Sequence, residues 1–152
     1  MIGNGILLFL LGVRASSAGF TTTISGLMMG GYFVGFFGGS HLVPKILQDV
    51  GHIRTFGALS AIASAAVLVH IIAVDPVLWT VMRLFTGFAY AGMYIVVESW
   101  LNDKSTNETR GQMLAVYMII TMAGLSVGQL FGGLDDGITN TLFLTASILV
   151  SV

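Results

Sequence analysis

The chain has no cysteine, two prolines and thirteen Asp, Glu, Lys and Arg among 152 residues. Without cysteine there is no disulfide, no thiolate metal site and no thiol nucleophile. Soluble domains carry roughly 25% charged residues, so the 9% found here cannot cover a water-facing surface. Six Lys plus Arg against seven Asp plus Glu leave no basic excess for nucleic acid. What the chain has instead is apolar length: 55% of it is hydrophobic, with a mean hydropathy of +0.92. Composition alone makes lipid the solvent of most of it.

A bilayer core of about 30 Å needs about 20 apolar helical residues. Long apolar runs predict all-α spans over residues 24–43, 55–74, 77–101 and 111–134, the third interrupted by Arg83 and ending at Glu98. The apolar ends, 1–13 and 138–152, are shorter than a span. They are expected to be the second half of a first helix and the first part of a sixth, with the chain cut inside a helix at each end. A secretory signal before the small residues Ala15-Ser-Ser-Ala18 is the lesser reading, since no positive region precedes it. Orientation follows the cations. Lys45, Arg54, Lys104 and Arg110 place the loops 44–54 and 102–110 in the cytoplasm, and the turns at Asp75-Pro76 and Asp135-Asp136-Gly137 lie outside. Asn107-Glu108-Thr109 matches a glycosylation sequon that a cytoplasmic loop would never expose to that machinery.

The twenty glycines are concentrated in the apolar spans rather than between them. Gly31, Gly35 and Gly39 in the second span, and Gly124, Gly128, Gly132 and Gly133 in the fifth, recur at helical spacing. Small residues four apart let helix backbones approach closely, which drives packing where lipid removes the hydrophobic incentive. Near coincidence of the two patterns three helices apart is what an inverted repeat of three helices predicts.

Ionisable groups inside a membrane are costly and point to function. Arg83 lies about 10 Å inside its helix and is a candidate for lining a solute pathway or binding an anionic group. Snorkelling to the outer headgroups is its alternative role. Glu98, near the cytoplasmic end beside Trp100, is either an interfacial carboxylate or a proton-titrating one. Fifteen residues along one helix keep it about 22 Å from Arg83. Asn4 and Arg14 are weaker cavity candidates. His41, His52 and His70 are scattered without an acidic cluster, so no metal site is expected. There is no GxSxG, HExxH or phosphate-binding loop, and Ser126 with His70 has no supporting spacing, so an enzyme is not expected.

Several of these residues resemble motifs of the major facilitator superfamily. Arg83-Leu-Phe-Thr-Gly87, leading to Gly92, is similar to its fourth-helix motif, and Glu108-Thr-Arg110-Gly111 to the loop entering helix five. Gly124-Leu-Ser-Val-Gly128-Gln129-Leu-Phe-Gly132-Gly133 is similar to its fifth-helix motif, with Gln129 in place of proline. Asp49-Val-Gly51-His-Ile-Arg54 is a degenerate form of the signature loop between helices two and three, with His52-Ile53 where the family has basic residues. Within the family the chain resembles bacterial members with a GHIR-type loop and Glu-Ser-Trp ending helix four.

The resemblance implies the amino-terminal six-helix half of a facilitator fold, in a bacterial inner membrane, with helices one and six incomplete. It also implies a small-molecule substrate and protons as partners, alternating access against a missing carboxy-terminal half, and no cofactor. The fifth-helix motif implies efflux or antiport. A chain of this length alone is then not expected to transport. A membrane scaffold assembled through its glycine faces is the reading from a different class.

Overall fold

In a computed structural model that describes residues 1–72, 74–132 and 140–151, the chain forms six α-helices. They are α1 (Ile2–Ser17), α2 (Thr22–Val50), α3 (His52–Ile72), α4 (Pro76–Lys104), α5 (Arg110–Gly132) and α6 (Asn140–Ser151). The all-α polytopic architecture read from the sequence is therefore present, and no strand occurs among the described residues. The Asp135-Asp136-Gly137 turn and Gly133 lie outside them.

Helix ends are set by local chemistry rather than by the lipid boundary. Thr21 caps α2 by accepting from the Ile24 amide at 3.4 Å. Asp75 caps α4 by accepting from the Leu78 amide at 2.8 Å, with Pro76 in the first turn, where its missing N–H is not needed. We expect Asp75→Ala to cost about 1 kcal/mol in a thermal unfolding measurement.

The predicted loop 44–54 is mostly helix. α2 continues through Pro44 to Val50, because Lys45, Ile46, Leu47 and Gln48 favour a helix wherever the membrane ends. Only Gly51 separates α2 from α3, at φ +88°, a left-handed conformation that glycine adopts without a Cβ penalty. α4 likewise outruns its apolar span to Lys104, leaving residues 105–109 as the connection.

Three described helices, α3, α4 and α5, are long and apolar enough to cross a membrane, with mean hydropathies of 2.0, 1.4 and 1.8. α2 has 29 residues, but its glycines and hydroxyl side chains dilute the hydropathy of the expected span. α1, with 16 residues, is shorter.

Packing has the symmetry of two three-helix units. α2 lies on α4, and α5 on α1; α3 packs on α4 and α6, and α6 on α1. Exchanging α1 with α4, α2 with α5 and α3 with α6 maps these five contacts onto one another, as an inverted repeat does, while the lesser contacts α2–α3 and α4–α5 have no counterpart of the same extent among the described residues. The glycines explain the closest of them. A Cβ at Gly35 would overlap the Leu84 carbonyl, one at Gly39 would lie 2.5 Å from the Phe88 carbonyl oxygen, and one at Gly87 would overlap the Tyr32 carbonyl. On the other side, Gly128 faces the Ile2 carbonyl and Gly5 the Leu125 carbonyl in the same way. Backbone therefore meets backbone at both symmetry-related crossings.

Buried side chains form two clusters, one around Leu7, Leu10, Leu11, Met28 and Trp79, the other around Val43, Leu59, Tyr90, Met93 and Val96. α5 turns Met118, Ile119, Ile120, Met122 and Leu130 outward, and α2 does so with Leu27, Phe33, Val34 and Phe37. Apolar faces of this extent need lipid or protein to cover them.

Candidate functional site

α4 organises the polar interior. Arg83, Tyr90, Tyr94 and Glu98 recur at intervals of seven, four and four residues, which at 3.6 residues per turn puts them on one face of the helix. Gly87, on this face, is buried and lets the Tyr32 backbone of α2 approach, while Gly92, on the opposite face, meets Leu59 of α3 and Val43 of α2.

Arg83 sits with 0% exposure. Its Nη2 lies 3.8 Å from the Met29 sulfur, and its Cζ 5.3 Å from the centre of the Tyr32 ring, a cation–π arrangement. Nε and Nη1 meet no hydrogen-bond partner. Its carbonyl accepts from the Thr86 hydroxyl at 3.0 Å. The snorkelling alternative does not fit this geometry, since the guanidinium points into the bundle rather than to the surface.

Around this point the structure gathers residues from four other helices. Asn4 of α1 is buried, beside Tyr32 and Tyr94, and its Oδ1 has no donor. His70 of α3 is fully buried within electrostatic reach of Arg83. Its Nδ1 is 2.6 Å from the Ala66 carbonyl oxygen, and since a carbonyl only accepts, Nδ1 carries a proton. Its ring packs 5.6 Å from that of Trp79. Tyr117 of α5 is within electrostatic reach of both Tyr94 and Glu98. Polar groups thus follow one another from His70 through Arg83, Tyr32, Tyr90, Asn4 and Tyr94 to Tyr117 and Glu98. Glu98 itself is exposed, at the far end from Arg83.

All four tyrosines of the chain belong to this series. None was a candidate in the sequence reading. The signal that could have found them was the spacing from Arg83 to Glu98 along helix four, which places Tyr90 and Tyr94 between the two charges. Tyr90 is 1% exposed and its hydroxyl has no partner, a costly state for a buried polar group.

The residues of the degenerate signature loop, which the resemblance makes a cytoplasmic gate, lie elsewhere, at the end of the bundle where α2, α3 and α4 meet. Asp49 and Arg54 are exposed in the last turn of α2 and the first of α3, and Gly51 joins them. The contact to α4 is made by His52, whose Nε2 is 3.1 Å from the Ser99 hydroxyl and 3.6 Å from an Asp103 carboxylate oxygen. A shallow cleft of about 480 Å³ there is lined by Gly51, His52, Arg54, Trp100, Asp103 and Lys104. An apolar cleft of about 490 Å³ lies between α4 and α5 beside Trp100 and Tyr117. Gln129 is exposed on α5, and Gly132 is the last residue of that helix. Ser126 is exposed on α5 while His70 is enclosed in α3. Among the described residues no three His, Asp or Glu side chains converge as a metal site would require.

Residues 1–150 match the sequence model of the Major Facilitator Superfamily. An uncharacterised MFS-type transporter of Yersinia enterocolitica is 32% identical over 108 residues, which is 71% of this chain and 28% of the relative. The MFS-type transporter YcaD of Escherichia fergusonii is 30% identical over 129 residues, 84% of this chain and 34% of the relative. The chain therefore spans about a third or less of the length of these curated relatives. No solved structure matches it. Six helices in two symmetry-related units, glycine-lined crossings and a sequence match over nearly the whole length agree on one identity: the chain belongs to the Major Facilitator Superfamily, a family of membrane transporters.

Proposed function

We propose that the chain is the amino-terminal half of a transporter that moves a small organic solute across a bacterial inner membrane by alternating access. In this reading a second six-helix half covers the apolar faces of α2 and α5, and the solute passes between the halves. The observation that carries it is Arg83, a guanidinium enclosed at membrane depth with two nitrogens unpartnered. A scaffold has no use for such a charge, whereas a solute pathway does.

Arg83 and Asn4 lie on the pathway, and Glu98 is the carboxylate that exchanges protons at its cytoplasmic end. Coupling to a proton gradient, in the direction of efflux or antiport, is supported by the fifth-helix glycines and by Glu98 lying within electrostatic reach of Tyr117. Asp49, Gly51 and Arg54 belong to the cytoplasmic gate. The test is solute flux in liposomes holding the full-length protein, with a pH difference imposed. Flux that responds to the gradient in the wild type and not in Glu98→Gln is the expected result; equal flux in both removes Glu98 from coupling.

Orientation is tested apart from transport. Cysteine in place of Thr106, in the exposed α4–α5 connection, is expected to be shielded from an impermeant thiol reagent outside intact cells. Cysteine in place of Val74, before α4, is expected to react. The reverse pattern would turn the bundle over.

A further inference from the structure

We propose that the solute is a small organic carboxylate, held at Arg83 and Tyr90 beneath a lid formed by Met29 and Tyr32 of α2. The inference rests on the transporter reading and adds the chemical class of what is carried.

The first support is a charge without an acceptor. The chain has seven carboxylates. Asp49, Asp75, Asp103 and Glu108 stand at helix ends or in connections, Asp135 and Asp136 lie outside the described residues, and Glu98 is fifteen residues along the same helix. None of the described ones reaches the guanidinium, which has the Tyr32 ring and the Met29 thioether beside it and Tyr90 and His70 within electrostatic reach. A buried cation without its partner is strongly disfavoured, so the enclosure calls for an anion that the described residues do not supply.

The second support is the donor set. Arg83 Nε and Nη1 and the Tyr90 hydroxyl are all buried, and all lack partners. These groups offer N–H and O–H hydrogens, and the planar fork of a guanidinium matches the two oxygens of a carboxylate. Enclosure by aromatic rings suits the apolar body of an organic acid. It disfavours phosphate, because one guanidinium neutralises one negative charge and a dianion would leave the remainder buried.

The third is access. Met29 and Tyr32 are half-buried while Arg83 is not exposed at all, so these two side chains separate the guanidinium from the surface of α2. Met29 is unbranched and readily changes rotamer, and a shift of the Tyr32 ring would uncover the fork.

The test is thermal unfolding of the purified full-length protein with the monocarboxylates acetate, lactate, butyrate and benzoate, the neutral isosteres lactamide and benzamide, and inorganic phosphate. At least one carboxylate is expected to raise the midpoint in a saturable way, with neither amide doing so. Arg83→Gln should abolish the shift while unfolding near the wild-type midpoint, since it removes an uncompensated buried charge. Tyr90→Phe should weaken binding about tenfold, the loss of one hydrogen bond to a charged group; if Arg83→Gln fails to fold, this variant carries the test. Protection by an amide as good as by its acid, protection by phosphate alone, no protection by any of the four acids, or undiminished protection in both variants would overturn the proposal. Flux separates the two readings: carboxylate binding without transport of any solute would leave the site standing and remove the transporter, and gradient-driven flux confined to neutral or cationic solutes would do the opposite.

Discussion

Gly35→Val is expected to unfold or separate the bundle, at a cost of at least about 3 kcal/mol in a reversible unfolding measurement. A side chain at this position has nowhere to go. Its Cβ would coincide with the Leu84 carbonyl oxygen of α4, and backbone atoms, unlike the end of a flexible side chain, cannot step aside. α2 would have to withdraw along its whole crossing with α4, opening the contacts at Gly31, Gly39 and Gly87 together. Gly30, five residues earlier on the outer face, is the internal control: nothing lies within 4 Å of a Cβ there. Gly30→Ala is therefore expected to be neutral or to stabilise by up to about 1 kcal/mol through helix propensity. Comparable losses at both positions would show that glycine is needed for something other than the crossing. The symmetry-related Gly128→Val is expected to behave like Gly35→Val, since it meets the Ile2 carbonyl of α1.

Arg83→Ala in the full-length protein is expected to lower transport about a hundredfold, the cost of truncating one partner of a buried charge interaction with the solute. Its folded state should survive, because the residue forms no ion pair with any described carboxylate that would be orphaned. Arg83→Lys is the informative companion. It keeps the charge and loses the planar fork, so transport is expected to fall between the two, with a larger effect on apparent affinity than on turnover. Retained transport in both variants would take Arg83 off the pathway. Loss of transport together with loss of the folded protein in both would mean that the residue supports the bundle.

Part of this was legible in the residues because membranes restrict how helices can be built and packed. Long apolar runs predicted six helices and six are described, since only helices satisfy their backbone inside lipid. Glycines at intervals of four located the close crossings, since nothing larger fits between two backbones. Helix ends were harder. Hydropathy marks where lipid stops, and α2 and α4 continue past it as helices that water tolerates, so the expected loop of eleven residues shrank to Gly51.

The polar interior was legible only at its charges. Arg83 and Glu98 stand out against an apolar background, whereas Tyr90 and Tyr94 pass as ordinary aromatic filling until the helix is wound and their shared face appears. Asn4, Tyr32 and Tyr117 come from three further helices, and no spacing within a single helix brings them together. His52 is a different case. It occupies a position where the family pattern has a basic residue, and only the fold reveals that its ring nitrogen reaches Ser99 and Asp103 at the end of α4.

The most direct measurement is counterflow in liposomes containing the full-length protein, loaded with an unlabelled carboxylate that protects it from unfolding and given the labelled acid outside. The account predicts a transient, saturable accumulation of label in the wild type that is absent in Arg83→Ala of unchanged thermal stability. Accumulation of equal size in that variant, or none in the wild type with any carboxylate that binds, would contradict it.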